Sequence, residues 1–119
     1  MVSKSYTEKF LDPRWQRKRT EIMQRADFRC EWCGSNKYTL HIHHGYYESG
    51  TDPWDYHNDT LYCLCEHCHE YAEERKRDIH MELASLHPKF WMAFMGFLLD
   101  FKEQASAGKI LKEEMSSEV

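Results

Sequence analysis

The chain of 119 residues has no apolar run long enough to cross a bilayer. Its richest stretch, Phe90 to Leu99, is interrupted by Gly96 and stops at Asp100. A membrane span needs roughly 18 consecutive apolar residues, so none is expected. The opening residues, MVSKSYTEKF, lack the apolar region of a secretory signal, which makes a reducing cytoplasm the expected setting. A net positive charge is missing too: the formal charge is -4, which does not advertise a nucleic-acid binder. No repeat, low-complexity tract or linker divides the sequence, so it is read as one small domain that profits from a metal staple.

The charges that are present are unevenly spread. Residues 1–40 hold nine Lys/Arg against five acids, whereas Glu48 to Asp59 holds four acids and no Lys or Arg. Any contact with nucleic acid therefore falls to a local basic face, with weak long-range steering.

Cysteines supply the strongest pattern. Cys30-Glu31-Trp32-Cys33 and Cys65-Glu66-His67-Cys68 bracket His43-His44, and His69 follows the last cysteine. A two-residue gap lets both thiolates of a pair reach one tetrahedral ion, so Cys30, Cys33, Cys65 and Cys68 read as a closed, structural Zn²⁺ site. A redox role for C-x2-C would need a thioredoxin-like βαβ context, which is absent. The odd cysteine, Cys63, is expected as a buried free thiol.

The remaining sequence reads as short elements around that staple. Asp12 as N-cap and Pro13 at the first helical position open a helix over Arg14 to Ala26, with Trp15, Ile22 and Met23 inward. Its other side carries Arg14, Arg17, Lys18 and Arg25, either a solvated face or a phosphate-facing one. Gly34-Ser35-Asn36 supplies a turn. Tyr38 to His43 alternates as a strand, a loop runs from Gly45 to about Asp59, and Leu61 to Leu64 forms a second strand. A charged helix begins near Cys68 and runs to Asp78. His87-Pro88, with His87 a poor cap, starts a last helix whose apolar residues surround most of its circumference. That helix is expected either to fold back over the metal core or to join two copies through residues 88–101 as a homodimer. The expected organisation is a core with its N-terminal helix over 1–84, the apolar helix over 85–107 and a flexible tail over 108–119.

The imidazoles suggest a second, harder site. His43 ends a strand, so its neighbour His44 points to the opposite side or bends with the turn. His69 leads a helix with Glu73 four residues on, on the same face. His43 and His69, with Glu73 or Asn58, give an incomplete ligand set suited to Mg²⁺, Mn²⁺ or Zn²⁺, with positions left for water and phosphate oxygens. His44 would then activate the attacking water. The alternative is that all three histidines are extra zinc ligands or core groups.

Trp15 followed by FRCEWCG, LHIHHGYY and DPWDYHNDTLYCLCEHCH resembles the HNH nucleases, in the subgroup tied by a four-cysteine zinc. The likeness covers about residues 12–75. It implies an α+β fold with a ββα-metal core, stapled by zinc and holding one further divalent cation. It implies an endonuclease that hydrolyses DNA phosphodiester bonds in a bacterial or phage-encoded setting. His44 matches the general base, and His43 and His69 match ligands of the catalytic metal. Two positions depart from the family pattern. Thr60 stands where an Asn usually precedes the second strand, so either the displaced Asn58 takes over its loop- or metal-orienting role or that role is lost, and Glu73 stands where some members place His or Asn. Trp54 and Tyr56 either pack the loop onto the core or stack on bases. Arg14, Arg17 and Lys18, with Arg75, Lys76 and Arg77, are the expected phosphate contacts, with little sequence specificity. The competing expectation is a catalytically degenerate zinc module that binds nucleic acid or a protein partner.

Overall fold

The computed structural model describes residues 5–108 and 110. Its elements run α1 (Tyr6–Lys9), α2 (Pro13–Arg25), β1 (Leu40–His44), β2 (Leu61–Cys65), α3 (Glu66–Ala84) and α4 (Trp91–Ser106), a mixed α+β arrangement. Three single 3-10 turns lie between them, at Pro53–Asp55, Asn58–Thr60 and Pro88–Phe90. Among the described residues no helix is long and apolar enough to cross a membrane. The chain divides into two compact units, Met1–Tyr71 and Ala72–Val119. The expected tail over 108–119 lies outside the described residues, apart from 108 and 110.

In the first unit, α2 begins as its sequence dictates. Asp12 Oδ1 accepts from the Arg14 N–H at 2.8 Å, and Pro13 occupies the first turn, where its missing N–H costs nothing. Trp15, Ile22 and Met23, spaced seven and eight residues apart, are its buried face. The helix closes on two non-glycine residues with left-handed backbone, Asp27 and Phe28, each at φ 55°. The Phe28 N–H reaches Met23 O at 2.9 Å and the Asp27 N–H reaches Gln24 O at 3.0 Å, the bond pair of a Schellman closure.

The sheet is a two-stranded antiparallel hairpin pairing Leu40 with Cys65, Ile42 with Cys63 and His44 with Leu61 on one face. That face meets the core of Ile22, Met23, Tyr56, Leu61 and Cys63, with Ala26, Leu40 and Ile42 packed alongside. The alternate pairs, His41 with Leu64 and His43 with Tyr62, occupy the other face. The first strand starts at Leu40, two residues later than its alternation suggests, because the chain bends at residues 37–38.

Thr60 closes the long loop between the strands. Its carbonyl accepts from Gly45 N–H at 2.7 Å and its hydroxyl donates to His57 O at 2.8 Å. A Cβ on Gly45 would lie 3.1 Å from that carbonyl, so the close approach selects glycine. Tyr56 enters the core, where its hydroxyl accepts from Glu48 N–H at 2.9 Å. Trp54 packs under the Arg14 guanidinium, 4.2 Å from its ring centre.

α3 starts at Glu66, earlier than expected, because Cys65 Sγ accepts from the Cys68 N–H at 3.4 Å in the manner of an N-cap. In the second unit His87 proves an effective cap, correcting the expectation of a poor one. Its Nδ1 accepts from the Lys89 N–H at 3.1 Å as the Pro88–Phe90 turn forms. No residue of α4 is buried, and its apolar side chains from Trp91 to Phe101 are each at least 38 % exposed.

Candidate metal centres

The four cysteines converge. Cys30 and Cys33 come from the turn after α2, Cys65 ends β2, and Cys68 sits in the first turn of α3. Their sulfurs lie within 4.8 Å of one another, with Cys33 Sγ and Cys65 Sγ 3.9 Å apart. Cys30, Cys65 and Cys68 are buried and Cys33 is exposed. Backbone N–H groups of Trp32 and Cys33 point at Cys30 Sγ, each at 3.4 Å, as expected of a knuckle that stabilises thiolate. Burial pushes the Cys30 thiol up, but N–H donors from Cys33, Cys65 and Trp32 outweigh it and bring the group down to about 7. Cys68 moves up, through burial first and then the crowding of Cys65, Cys30 and Cys33. Four sulfurs this close repel one another once ionised, and a cation among them removes that repulsion. This set can hold a metal ion.

Cys63 stands apart, fully buried on the core face. Burial first, and then the nearby Glu31 carboxylate, push its thiol up to about 11, so it stays protonated.

A second set forms on the opposite face of the hairpin. His43, His69 and Glu73 each offer a ligand atom, all within 4.8 Å of one another. His43 is buried and the other two are half-buried. The His43 and His69 rings lie 5.3 Å apart, and Tyr62 flanks His43 at 6.2 Å. His69 and Glu73 reach the set together because they are one helical turn apart on α3.

His44 is not part of this set. Strand alternation sends it to the core face, where it is 2 % exposed. Its ring stacks on Trp15 (5.4 Å) and Tyr47 (5.0 Å), with Tyr56 edge-on at 5.1 Å. Nε2 lies 3.4 Å from Pro53 O; a carbonyl only accepts, so the proton sits on Nε2 and Nδ1 keeps its lone pair. Burial, the largest cause, lowers its proton affinity, and His43 and His69 lower it further.

Asn58 serves the loop through its backbone: its carbonyl accepts from Arg25 Nη1 at 2.9 Å, and its buried Oδ1 has no hydrogen-bond partner among the described residues. Arg14, Arg17 and Lys18 line one shallow cavity of about 220 Å³ with Glu21 and Trp54. Arg14 is already held by both carboxylate oxygens of Asp12, at 3.1 and 3.0 Å. Arg75 pairs with Asp78 at 2.9 Å.

Sequence reasoning passed over His41 and α1 and gave Arg25 a different role. His41 shares the face of His43, and its Nδ1 lies 3.0 Å from His69 Nδ1; the same alternation that singled out His43 marks it. Arg25 is a tie rather than a free surface cation: it bonds Glu31 (2.8 Å), Asn58 O and Leu61 O (2.6 Å), while Glu31 accepts from the Cys63 N–H. α1 was signalled by Ser5 three residues before Glu8, whose N–H the serine hydroxyl accepts at 3.2 Å. No protein-family model, curated protein or solved structure matches this chain.

Proposed function

We propose that the protein is a metal-dependent HNH-type endonuclease that hydrolyses DNA phosphodiester bonds. In this reading zinc is held by Cys30, Cys33, Cys65 and Cys68, and Mg²⁺ or Mn²⁺ by His43, His69 and Glu73. The observation that carries the reading is the convergence of those two imidazoles and one carboxylate within 4.8 Å, beside but separate from the sulfur cluster. Zinc suits the sulfurs because Zn–S bonds of about 2.3 Å in a tetrahedron set neighbouring sulfurs roughly 3.8 Å apart, close to the 3.9 Å between Cys33 and Cys65. With four protein ligands that site is closed, and its role is to fix the hairpin against α3.

The three-ligand set is open by comparison. A carboxylate with two imidazoles admits Mg²⁺ or Mn²⁺ and leaves coordination positions for water and a phosphate oxygen. His43, His69 and Glu73 would hold the ion, whose chemistry there would be Lewis acidity toward the phosphate and its leaving oxygen. His44 is the general base that the resemblance assigns: the proton on Nε2 leaves Nδ1 to take one from water, its lowered proton affinity keeps the ring neutral near pH 7, and the role requires the ring to leave its stack on Trp15 and Tyr47. Arg17 and Lys18, with Arg14 beside them, are assigned to backbone phosphates, which fixes position without reading sequence.

The sealing of His44 between Trp15 and Tyr47 favours a second reading, a catalytically inert zinc module that binds nucleic acid or a protein partner. Plasmid nicking separates the two. The zinc-loaded protein with Mn²⁺ or Mg²⁺ is expected to nick, and His69→Ala and His44→Ala to lose at least about 100-fold in rate. Nicking by neither metal supports the inert module. Equal nicking by wild type and His44→Ala removes the assigned base.

A further inference from the structure

His41 has no part in the reaction proposed above, yet it touches the site. It sits on the His43 face of β1, opposite the buried Leu64, and its Nδ1 is 3.0 Å from Nδ1 of His69, with the two rings nearly perpendicular at 88°. We propose that His41 is a positioning residue: it fixes the tautomer and ring orientation of His69 so that Nε2 of His69 is presented to the cation. The inference rests on reading His43, His69 and Glu73 as a cation site.

The argument is one of proton placement. A hydrogen bond between two Nδ1 atoms needs a proton on one and a lone pair on the other. If His41 donates, the Nδ1 lone pair of His69 is engaged and neutral His69 carries its proton on Nε2, so neither nitrogen can ligate. If His69 donates, its lone pair is on Nε2, the form a ligand requires, and His41 accepts on Nδ1, with its own proton on Nε2. A cation at His69 and this hydrogen bond coexist in the second arrangement alone. Ligating histidines commonly give their other N–H to such an acceptor, and loss of the acceptor weakens metal binding by roughly 10–100-fold. His41 is placed for this by the strand itself, two residues before His43 and therefore on the same face.

The test is Mn²⁺ titration by calorimetry of the zinc-loaded full chain, comparing wild type with His41→Phe and His41→Gln. Phenylalanine keeps ring bulk but cannot accept, whereas the glutamine amide oxygen can. The expected result is one Mn²⁺ per wild-type chain, binding weakened roughly 10–100-fold in His41→Phe, and affinity close to wild type in His41→Gln. Wild-type affinity in His41→Phe overturns the proposal, as does a His41→Gln variant as weak as His41→Phe, since shape rather than the accepted proton would then matter. Should the phenylalanine variant not fold, loss of affinity in a folded His41→Gln is sufficient to overturn it. Absence of Mn²⁺ binding by wild type overturns both this inference and the cation-site reading beneath it.

Discussion

At residue scale the environment decides what each ionisable group can do. His44 and Cys63 both lie on the core face of the hairpin, and burial favours the neutral form of each. For His44 the folded proton affinity falls below that of the unfolded chain. The unfolded state therefore binds the extra proton first, and stability is lost as pH drops below about 6.5, the unperturbed histidine value. Thermal unfolding between pH 7.5 and 5 is expected to show a smaller acid-side loss in His44→Phe than in wild type. For Cys63, with its thiol pushed up to about 11, alkylation followed by peptide mapping should leave it unmodified in the native protein and modified after denaturation. Arg25 ties α2 to the loop and to β2 through its side chain. Arg25→Ala removes the guanidinium bonds to the Glu31 carboxylate and to the carbonyls of Asn58 and Leu61, a loss of about 2 kcal/mol by denaturant titration.

At element scale much was legible, and what was missed has identifiable causes. The start of α2 is written in Asp12-Pro13 and its buried face in the spacing of Trp15, Ile22 and Met23, all local signals. The hairpin was legible because period-2 alternation, Leu40 and Ile42 against His41 and His43, has one geometric meaning. The same alternation carries His44 away from His43, and only the packing of Trp15, Tyr47 and Tyr56 around it shows how completely it is enclosed. Arg25 looked like a surface cation because its partners lie far along the chain, at Asn58 and Leu61, where no local pattern points. Thr60 stands where HNH nucleases usually place Asn, and its carbonyl and hydroxyl hold the loop shut. The end of α2 is the costliest local feature, since Asp27 adopts left-handed backbone and places a negative charge at a helix C-terminus. Asp27→Gly relieves both and is expected to stabilise the protein by about 1 kcal/mol, seen as a raised thermal midpoint.

At the scale of the whole molecule, burial is sparse. Ten apolar side chains form the core among the described residues, and three of them, Cys30, Cys65 and Cys68, belong to the cysteine cluster. A core that small would gain most from a metal at the cysteine cluster, since a structural zinc site can contribute on the order of 10 kcal/mol to folding. Stripping zinc with a strong chelator should therefore collapse the near-ultraviolet dichroism of Trp15 and Tyr56, and readdition should restore it. The exposed apolar side chains of α4, Met92 at 82 % and Phe97 at 66 % among them, exceed what an isolated chain usually presents to water. Sedimentation is expected to show concentration-dependent association that Met92→Glu with Phe97→Glu abolishes.

Counting ions by native mass spectrometry addresses the central claim most directly. Supplied with zinc and then manganese, wild type should carry one of each, while His69→Ala keeps its zinc and loses manganese. A wild-type chain that takes up a single ion under every supply, or a His69→Ala chain that loses its zinc, would contradict the account.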